Sequence, residues 1–445
     1  MKTASPARAA AFDVLLRVEQ QDAFASDLLH SSRLDTISAA DRALATELTL
    51  GVLRWRSHLD HAIARASSQP LARLDAEVLT ALRLGVFQVA FLDRVPARAA
   101  VNESVELVKR AGRVFSAPFV NAVLRKLVAS PETLRPPNLP ESPGALSLAA
   151  VFAHPLWLVE RWVQEFGAAA TQRICEYDQR VPETTLRRAA AGVEEELRSE
   201  GVELALGRIM AGARRMTSGN VTATRAFAEG RVQVQDEASQ LVVALVGRGS
   251  RILDCCAAPG GKTAALAAAN PQAQVVAVEL HPHRARTLLR RAPASNVHVI
   301  AADATALPLA QEFDRVLADV PCSGTGTLAR HPEIKWRLKS EDVEDLHRRQ
   351  VAILNAALER VARGGRLIYS TCSLEKEENQ TVVEEAVSIR TDIRVVDCAA
   401  ELGRLRNDGS LVWEDLRSLT AGPFLRTLPG LHPCEGFFAA ILERD

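Results

Sequence analysis

Two cysteines, Cys322 and Cys372, each follow an apolar segment of strand length and are flanked by proline, serine, glycine and threonine. A single cysteine is more often a small buried apolar residue than a reactive one, and we interpret Cys175 and Cys398 in that way. Two cysteines at the ends of neighbouring strands are different, because they would face the same crevice of a parallel sheet. In that crevice one cysteine can act as a thiolate nucleophile, while the other acts as a general acid or base.

Such a pair of thiols suits methylation at C5 of a cytosine. This carbon is too poor a nucleophile to take a methyl group unaided, but addition of a thiolate to C6 gives an enamine whose C5 can attack a sulfonium methyl. The C5 proton must then leave and the thiol must be expelled, so the second cysteine can serve as the acid–base group of this step. Asp319 could hold the polar edge of the ring, and Lys262 could balance negative charge on the base. The cytosine must be flipped out or single-stranded to enter a crevice.

A glycine-containing loop after another strand predicts a cofactor site. It reads Asp254-Cys-Cys-Ala-Ala-Pro-Gly-Gly-Lys-Thr263, and its two glycines let the backbone approach a ligand at the start of a helix. The loop does not have the glycine spacing of a phosphate-binding P-loop, because residue 256 is cysteine rather than glycine. The next two strands end in Glu279, where a ribose diol is expected, and in Asp303, where an adenine amino group is expected. Acids at successive strand ends favour a nucleoside cofactor.

The elements that must position these residues alternate from Asp236 onward. Apolar runs of strand length and helix-length segments follow one another, which is typical of a doubly wound, Rossmann-like α/β sheet. The predicted strands are Arg251–Asp254, Gln274–Leu280, Val297–Ala302, Arg315–Val320 and Arg366–Thr371, with Gly436–Leu442 as a last, antiparallel strand. Helices are predicted near Lys262–Ala269, Pro282–Arg291 and Glu341–Ala362. Ligands of such sheets bind at the carboxyl ends of the strands, where all the residues above fall.

The first half of the chain has a different pattern. Residues 1–130 show helix-type periodicity and predict an all-α bundle. Prolines recur through residues 131–147 and predict an extended linker. Residues 148–235 fit a small α+β subdomain, which leaves residues 236–445 as the α/β domain.

Composition limits the remaining classes of protein. The 445 residues carry 54 Lys and Arg against 54 Asp and Glu, so any surface for a nucleic acid must be local. Seven cysteines without a C-x-x-C pair argue against a disulfide framework and against a zinc site, and we expect no metal. The sequence lacks the pattern of a signal peptide and of a membrane span, so we expect a cytoplasmic protein with reduced thiols and no membrane partner.

Long strings in the second half of the chain resemble the RNA 5-methylcytosine methyltransferase family, also called the Nol1/Nop2/Sun family. They are Gln235-Asp-Glu-Ala-Ser-Gln240, the Asp254–Thr263 loop, Asp319-Val-Pro-Cys-Ser-Gly-Thr-Gly326, Arg330-His-Pro-Glu-Ile-Lys-Trp336 and Tyr369-Ser-Thr-Cys-Ser-Leu-Glu-Lys-Glu-Glu-Asn379. The resemblance implies a class I methyltransferase domain that binds S-adenosyl-L-methionine. The implied cofactor contacts are Cys256, Ala257, Ala258, Pro259, Gly260, Gly261, Lys262, Glu279, Asp303 and Asp319.

The resemblance also implies roles for the two cysteines, with Cys372 as the nucleophile and Cys322 as the residue for product release. DNA cytosine methyltransferases place their nucleophile on the Pro-Cys motif instead. The chemistry of the residues by itself does not choose between the two arrangements, and the assignment follows the RNA family.

The helical region from Ala7 to about Val128 is similar to the RNA-binding domain of the antitermination factor NusB. A NusB-like domain joined to this methyltransferase domain resembles the bacterial Sun/Fmu subfamily, which methylates a cytosine of 16S ribosomal RNA. We therefore expect 16S ribosomal RNA as the partner of a monomeric enzyme. The alternatives are the same chemistry on transfer RNA, or a non-catalytic RNA-binding assembly factor with a relict methyltransferase domain.

A cationic segment directly after the Pro-Cys loop is the predicted RNA contact. It offers cations and an aromatic ring to the backbone and bases of RNA. Its residues are Arg330, His331, Lys335, Trp336 and Arg337. The arginines of residues 284–291 are instead interpreted as a solvated helix face.

Overall fold

The chain forms two compact units. The computed structural model describes residues 4–21, 23–31, 34, 36–188, 192–292 and 294–445. The first unit comprises Met1–Val181 and Leu328–Leu338, and the second comprises Pro182–Thr327 and Lys339–Asp445. In the described part of the chain, no helix is both long enough and apolar enough to cross a membrane.

Helices dominate the first unit, and strands alternate with helices in the second. The helices are α1 (Pro6–Gln21), α2 (Ala25–Leu29), α3 (Ala39–Ala66), α4 (Ala76–Phe91), α5 (Ala97–Arg110), α6 (Ala117–Val128), α7 (Ala145–Val151), α8 (Leu156–Phe166), α9 (Ala168–Asp178), α10 (Val193–Ser199), α11 (Arg225–Ala228), α12 (Glu237–Val246), α13 (Gly261–Ala269), α14 (Pro282–Arg291), α15 (Ile334–Arg337), α16 (Ser340–Leu358), α17 (Gln380–Ser388) and α18 (Cys398–Asn407). The strands are β1 (Thr185–Arg188), β2 (Glu203–Leu206), β3 (Ala213–Ser218), β4 (Val232–Val234), β5 (Arg251–Asp254), β6 (Gln274–Glu279), β7 (Val297–Ala301), β8 (Phe313–Asp319), β9 (Val361–Thr371), β10 (Ile393–Val396), β11 (Thr420–Ala421), β12 (Phe424–Thr427) and β13 (Phe437–Arg444).

The first unit is the helical bundle that the periodicity predicts. The apolar stripes of α1 and α3–α6 meet in one core, in which Leu48 and Leu82 are fully buried. The long helix α3 begins where the Ser38 hydroxyl accepts a hydrogen bond from the backbone N–H of Asp41. Gly51 lets α4 approach closely, because a Cβ at this position would lie 2.0 Å from Cζ of Phe87. The all-α prediction for this region is confirmed.

The predicted boundaries of the middle region differ from the observed ones. The proline-rich stretch is partly ordered against the bundle, since Leu134 is buried and its carbonyl lies 2.8 Å from Nε2 of His58. Helices α7–α9 then belong to the first unit, and only the segment from Pro182 onward joins the second. The local sequence pattern could not predict which unit α7–α9 would join, because an amphipathic helix does not specify which core it will cover.

A four-stranded antiparallel sheet opens the second unit. Its strand order is β2-β3-β1-β4, and α10 and α11 cover it through buried residues such as Val193 and Leu197. The α+β character expected for residues 148–235 is therefore found in the part of that range after residue 182.

A larger sheet carries the candidate site. Its order is β11-β12-β13-β9-β8-β5-β6-β7 with β10 paired to β13, and the strands from β9 to β7 are parallel. The strand β13 runs antiparallel to β9, as the sequence predicts. These strands are apolar because helices cover both faces of the sheet. The strand β9 begins at Val361, earlier than predicted, because Val361 already pairs with Phe313 of β8.

Candidate active site

Parallel pairing brings the chemically distinctive residues to one edge of the large sheet. Asp319 at the end of β8 is paired with Ser370 of β9, and Asp254 at the end of β5 is paired with Ala277 of β6. The loops after these strands therefore leave the sheet side by side. Both cysteines and the glycine loop lie on those loops, at the carboxyl ends where α/β sheets bind ligands.

The two cysteines are in direct contact. Sγ of Cys322 lies 3.3 Å from Sγ of Cys372, and both side chains are partly exposed. The hydrogen bond with Cys372, together with burial, raises the pKa of Cys322 well above its usual value. Cys322 is therefore a thiol at neutral pH that can donate a hydrogen bond to the sulfur of Cys372.

An ion pair stands beside the cysteines. Nζ of Lys262 lies 2.7 Å from Oδ2 of Asp319, and Oδ1 of the same carboxylate accepts a hydrogen bond from the hydroxyl of Ser370 at 2.8 Å. Burial by itself lowers the pKa of Lys262, but the pairing with Asp319 and the nearby Cys372 outweigh it and leave the pKa raised. The ammonium of Lys262 is also 5.0 Å from the ring centre of Phe437, a residue that the sequence analysis did not single out. Lys262 is therefore a fixed positive charge, not a base.

The glycine loop is shaped by its own backbone and by a buried acid. Gly260 has φ +110°, and a Cβ there would lie 2.9 Å from Cδ1 of Leu288, so glycine is required. Oδ2 of Asp254 accepts a hydrogen bond from the hydroxyl of Thr263 at 2.7 Å, which ties the two ends of the loop together. Oδ1 of Asp254 is buried and accepts no hydrogen bond from the described residues. Burial raises the pKa of Asp254 to about 7.

Two further acids follow along the same edge. Glu279 is almost fully buried, and its Oε1 accepts a hydrogen bond from the backbone N–H of His281 at 2.9 Å. Asp303 is exposed and accepts from the backbone N–H and the hydroxyl of Thr305, which lowers its pKa. Glu279 on β6 and Asp303 after β7 thus offer oxygen acceptors beside the glycine loop. These acceptors fit the hydroxyls and the amino group of a nucleoside.

A buried carboxylate that the sequence analysis gave no role joins the two cysteine loops. Oε2 of Glu378 accepts from the backbone N–H of Ser323 and from Nε2 of Gln350, each at 2.8 Å, and Oε1 accepts from the hydroxyl of Ser373 at 2.7 Å. The backbone N–H of Gly326 also donates to the carbonyl of Cys372 at 2.9 Å. Glu378 follows Glu375, Lys376 and Glu377 in the sequence, so no local signal distinguished it from its charged neighbours.

The predicted RNA contacts need a correction. Lys335 is 1% exposed and donates to the backbone carbonyls of Arg54 and Ala153, so it cannot reach RNA. Trp336 donates from its ring N–H to the carbonyl of Leu53. Arg337 donates to the carbonyls of Val18 and Ala23. These side chains donate to backbone carbonyls of α1 and α3 and of the segments that follow α1 and α7, all in the first unit, and periodicity cannot reveal such contacts. Arg330 and His331 are partly exposed, and their contact with RNA stays a prediction.

Lys335 lies in a buried cluster of ionisable groups within the first unit. Nε2 of His154 is 3.2 Å from Oδ2 of Asp178, and both side chains are fully buried. Burial raises the pKa of Asp178 to about 8, and it lowers the pKa of Lys335 to about 7. The cluster holds the segment 328–338 in the unit and takes no part in the crevice of the cysteines.

Family models match both halves of the chain. Residues 243–443 match the family described as 16S rRNA methyltransferase RsmB/F, and residues 5–129 match the NusB family. The chain is 31% identical over 453 residues to the probable ribosomal RNA small subunit methyltransferase B of Bacillus subtilis strain 168, with 98% of each chain covered. It is 31% identical over 452 residues to ribosomal RNA small subunit methyltransferase B of Vibrio cholerae, covering 98% of this chain and 97% of that relative.

Solved structures share the fold. The crystal structure of PH0851 superimposes with a TM-score of 0.80 over 100% of both chains at 22% identity. A methyltransferase homolog protein from Pyrococcus horikoshii has a TM-score of 0.55 and 25% identity, and the match covers 68% of this chain and 100% of that one.

Proposed function

The chain belongs to the RsmB/F family of methyltransferases, and from this premise we propose that it methylates C5 of a cytosine in 16S ribosomal RNA through a covalent adduct between Cys372 and C6. The observation that carries the proposal is the pair of thiols, with sulfur atoms 3.3 Å apart at the ends of adjacent parallel strands. S-adenosyl-L-methionine would supply the methyl group as an electrophile.

Addition is the step assigned to Cys372. Its thiolate forms the S–C6 bond, and the electron pair of the C5–C6 double bond becomes available at C5. The Lys262 ammonium offsets negative charge near the thiolate and the ring, since its raised pKa keeps it protonated. Asp319 is held by Lys262 and Ser370 and can accept a hydrogen bond from the polar edge of the cytosine.

Elimination is the step assigned to Cys322. After methylation, the C5 proton must leave and the S–C6 bond must break. Cys322 can take the C5 proton while it passes its own proton to the departing sulfur of Cys372, so that both side chains end as thiols and the C5–C6 double bond is restored. The contact between the two sulfurs supports this relay.

The cofactor would be held along the same edge. Backbone groups of Cys256 to Gly261 would approach it, Glu279 would accept from the ribose hydroxyls and Asp303 from the adenine amino group. Glu279 has the burial and the fixed orientation that such a role requires. The partial burial of Asp319 and Lys262 excludes part of the water from the place where the methyl group would be transferred.

The test compares the wild type with Cys372→Ala and Cys322→Ala, using tritiated S-adenosylmethionine and an unmodified 16S transcript. We expect 5-methylcytosine from the wild type, none from Cys372→Ala, and an accumulated protein–RNA adduct with Cys322→Ala. Cys434→Ala is the matched control, because Cys434 is a buried cysteine outside the pair. An inactive Cys322→Ala and a trapped Cys372→Ala would reverse the two roles. Label in transfer RNA, with none in the 16S transcript, would refute the substrate.

A further inference from the structure

A cavity of about 1030 Å³ lies in the second unit, away from the cysteines. Arg248 precedes β5 and Arg315 lies near the start of β8, so the cavity is at the amino ends of the parallel strands. The cysteines follow the carboxyl ends of the same sheet. The side chains that line it include six arginines: Arg187, Arg188, Arg248, Arg315, Arg366 and Arg404.

Positive charge is in excess in this cavity although the whole chain is neutral. Glu194 and Glu443, which lie outside the lining, pair with Arg188 and Arg366 at 2.8 and 2.9 Å. The lining itself holds two more acids, Glu401 and Asp408, so six arginines stand against four carboxylates, an excess of 6 − 4 = 2 positive charges. Both lining acids pair with Arg404, and Glu401 also pairs with Arg366 at 3.2 Å. The neutral total of the chain therefore conceals a cavity with a local excess of positive charge.

Three of the arginines have no ion pair among the described residues. Arg187 donates to the amide oxygen of Gln233, but its Nε is buried without a hydrogen-bond partner, and burial lowers its pKa to about 10. Nε of Arg315 is buried without a partner as well, and burial lowers its pKa. Arg248 is exposed at the rim. A half-buried guanidinium without an ion-pair partner is costly to bury, so an anion that enters the cavity is attracted to it.

The rest of the lining favours phosphate over a stacked base. Small residues such as Ala211, Gly212, Ala268 and Ala269 line the cavity, and none of its described lining residues is aromatic. Bases bound by proteins are commonly stacked on aromatic rings, whereas guanidinium groups bind phosphate with paired hydrogen bonds. The volume is large for a single phosphate ion and admits a length of nucleic-acid backbone.

We infer that this arginine cavity binds the phosphate backbone of the RNA substrate at a place remote from the reacting cytosine. The inference rests on the proposed function only in that the substrate is RNA. It implies that a segment of RNA distant from the target base contributes to affinity without contributing to the chemistry. Phosphate contacts of this kind position a nucleic acid and carry no sequence information.

Binding of an unmodified 16S transcript is measured over a range of salt concentrations for the wild type and for the triple variant Arg187→Gln, Arg248→Gln, Arg315→Gln. We expect the slope of log K against log salt to lose about 2 units, since each phosphate contact with single-stranded RNA contributes about 0.7. Affinity at moderate salt should fall about 10- to 100-fold. The matched control is Arg198→Gln, Arg363→Gln, Arg417→Gln, three exposed arginines of the same unit that do not line the cavity.

Binding of S-adenosylmethionine to all three proteins shows that the second unit is folded, because no exchanged residue belongs to the proposed cofactor site. A triple variant that keeps the wild-type salt dependence, or that changes no more than the control, would overturn the inference. Inorganic phosphate that protects the cavity arginines from a guanidine-modifying reagent, with no effect of RNA, would identify a small-anion site and refute the RNA backbone. Since no methyl transfer is measured, failure of the proposed chemistry would not affect these results.

Discussion

At the scale of single residues, the geometry of the two thiols depends on Glu378, a group that reacts with nothing. It accepts hydrogen bonds from Ser323 and Ser373, each the immediate neighbour of a cysteine, and from Gln350 of α16. A fully buried carboxylate with three donors keeps two irregular loops in one arrangement. We regard Glu378 as a positioning residue for Cys322 and Cys372.

Glu378→Gln should therefore lower the turnover of methyl transfer about 10- to 100-fold with little change in KM for RNA, because an amide nitrogen cannot accept the bonds that a carboxylate oxygen accepts. The expected signature of a positioning role is slower oxidation of the cysteine pair to a disulfide by a mild oxidant, at unchanged binding of S-adenosylmethionine. Glu384→Gln, an exposed exchange on α17, serves as the control. Equal turnover of the two variants would contradict the role.

Asp254 gives the candidate site a pH-dependent stability. Its pKa is about 7 in the folded protein because of burial, against an ordinary value of 3.8. Between pH 3.8 and about 7, the folded state therefore holds a proton on Asp254 that the unfolded state has lost. The free energy of unfolding falls as the pH rises through this range, so the stability that the protonated group contributes below pH 3.8 is lost by about pH 7. Above about pH 7, Asp254 is charged in both states, and the free energy of unfolding no longer changes with pH through this group.

Urea unfolding at several pH values tests this for the wild type and for Asp254→Asn, both without cofactor. Between about pH 4 and pH 7, the free energy of unfolding should fall in the wild type relative to the variant, by up to about 4 kcal/mol. Above about pH 7 the difference between the two proteins should stay constant. Asp345→Asn, an exchange of an exposed acid on α16, should show no such trend. A constant difference between Asp254→Asn and the wild type would disprove the effect.

At the scale of elements, the segment that follows the Pro-Cys loop is a structural element of the first unit. Residues 328–338 include α15, and the ammonium of Lys335 reaches two backbone carbonyls at 2.9 and 3.0 Å. Arg54 also donates to the carbonyl of Ala329 at 3.0 Å. Glu333 accepts from the backbone N–H of Ala25 at the start of α2. A segment that looked like a cationic RNA contact is in fact anchored through its cations.

Lys335→Met keeps the aliphatic volume but removes the donor to the carbonyls of Arg54 and Ala153. The Arg54 carbonyl keeps a hydrogen bond from Nε2 of Gln179 at 3.3 Å. The expected cost is about 1 to 3 kcal/mol of stability in the first unit, which is the cost of one buried acceptor, the Ala153 carbonyl, that loses its lysine donor. Hydrogen exchange of the amides in α3 and α9 measures the effect within that unit. Lys109→Met on α5, where the side chain is exposed, is the control. Unchanged protection in Lys335→Met would show that the two hydrogen bonds do not contribute.

At the scale of the whole molecule, the division into units does not follow the order of the sequence. The first unit takes its last segment, residues 328–338, from between two parts of the second. The chain thus leaves the α/β unit just after Thr327 and returns at Lys339. An isolated α/β unit would carry this segment without its partners.

A chain that begins at Pro182 should therefore expose residues 328–338. Trypsin should cut at Arg330, Lys335 or Arg337 much faster in this shortened chain than in the full one, where the partners of the segment are present. Cleavage sites are identified by mass spectrometry, and the exposed Arg363 provides an internal reference for cleavage in both chains. Equal protection in the two chains would mean that the first unit does not hold the segment.

The sequence by itself determined the elements and the edge at which the chemistry lies. The strand β5 and the helix α14 have the predicted bounds, because local periodicity and the helix signals of proline and glycine are short-range properties. Parallel strands must present their carboxyl ends together, so Cys322, Cys372 and Asp319 could be placed at one edge without coordinates.

Only the tertiary structure decided which distant segments share a core and which charges are buried. It placed α8 and α9 in the first unit, buried Lys335, joined the cysteine loops through Glu378 and gathered the arginines of the cavity. Each of these results depends on contacts between residues far apart in the chain. A lysine on a helix has the same local pattern whether its ammonium meets water or two carbonyls, and the difference arises only when the surrounding helices pack over it.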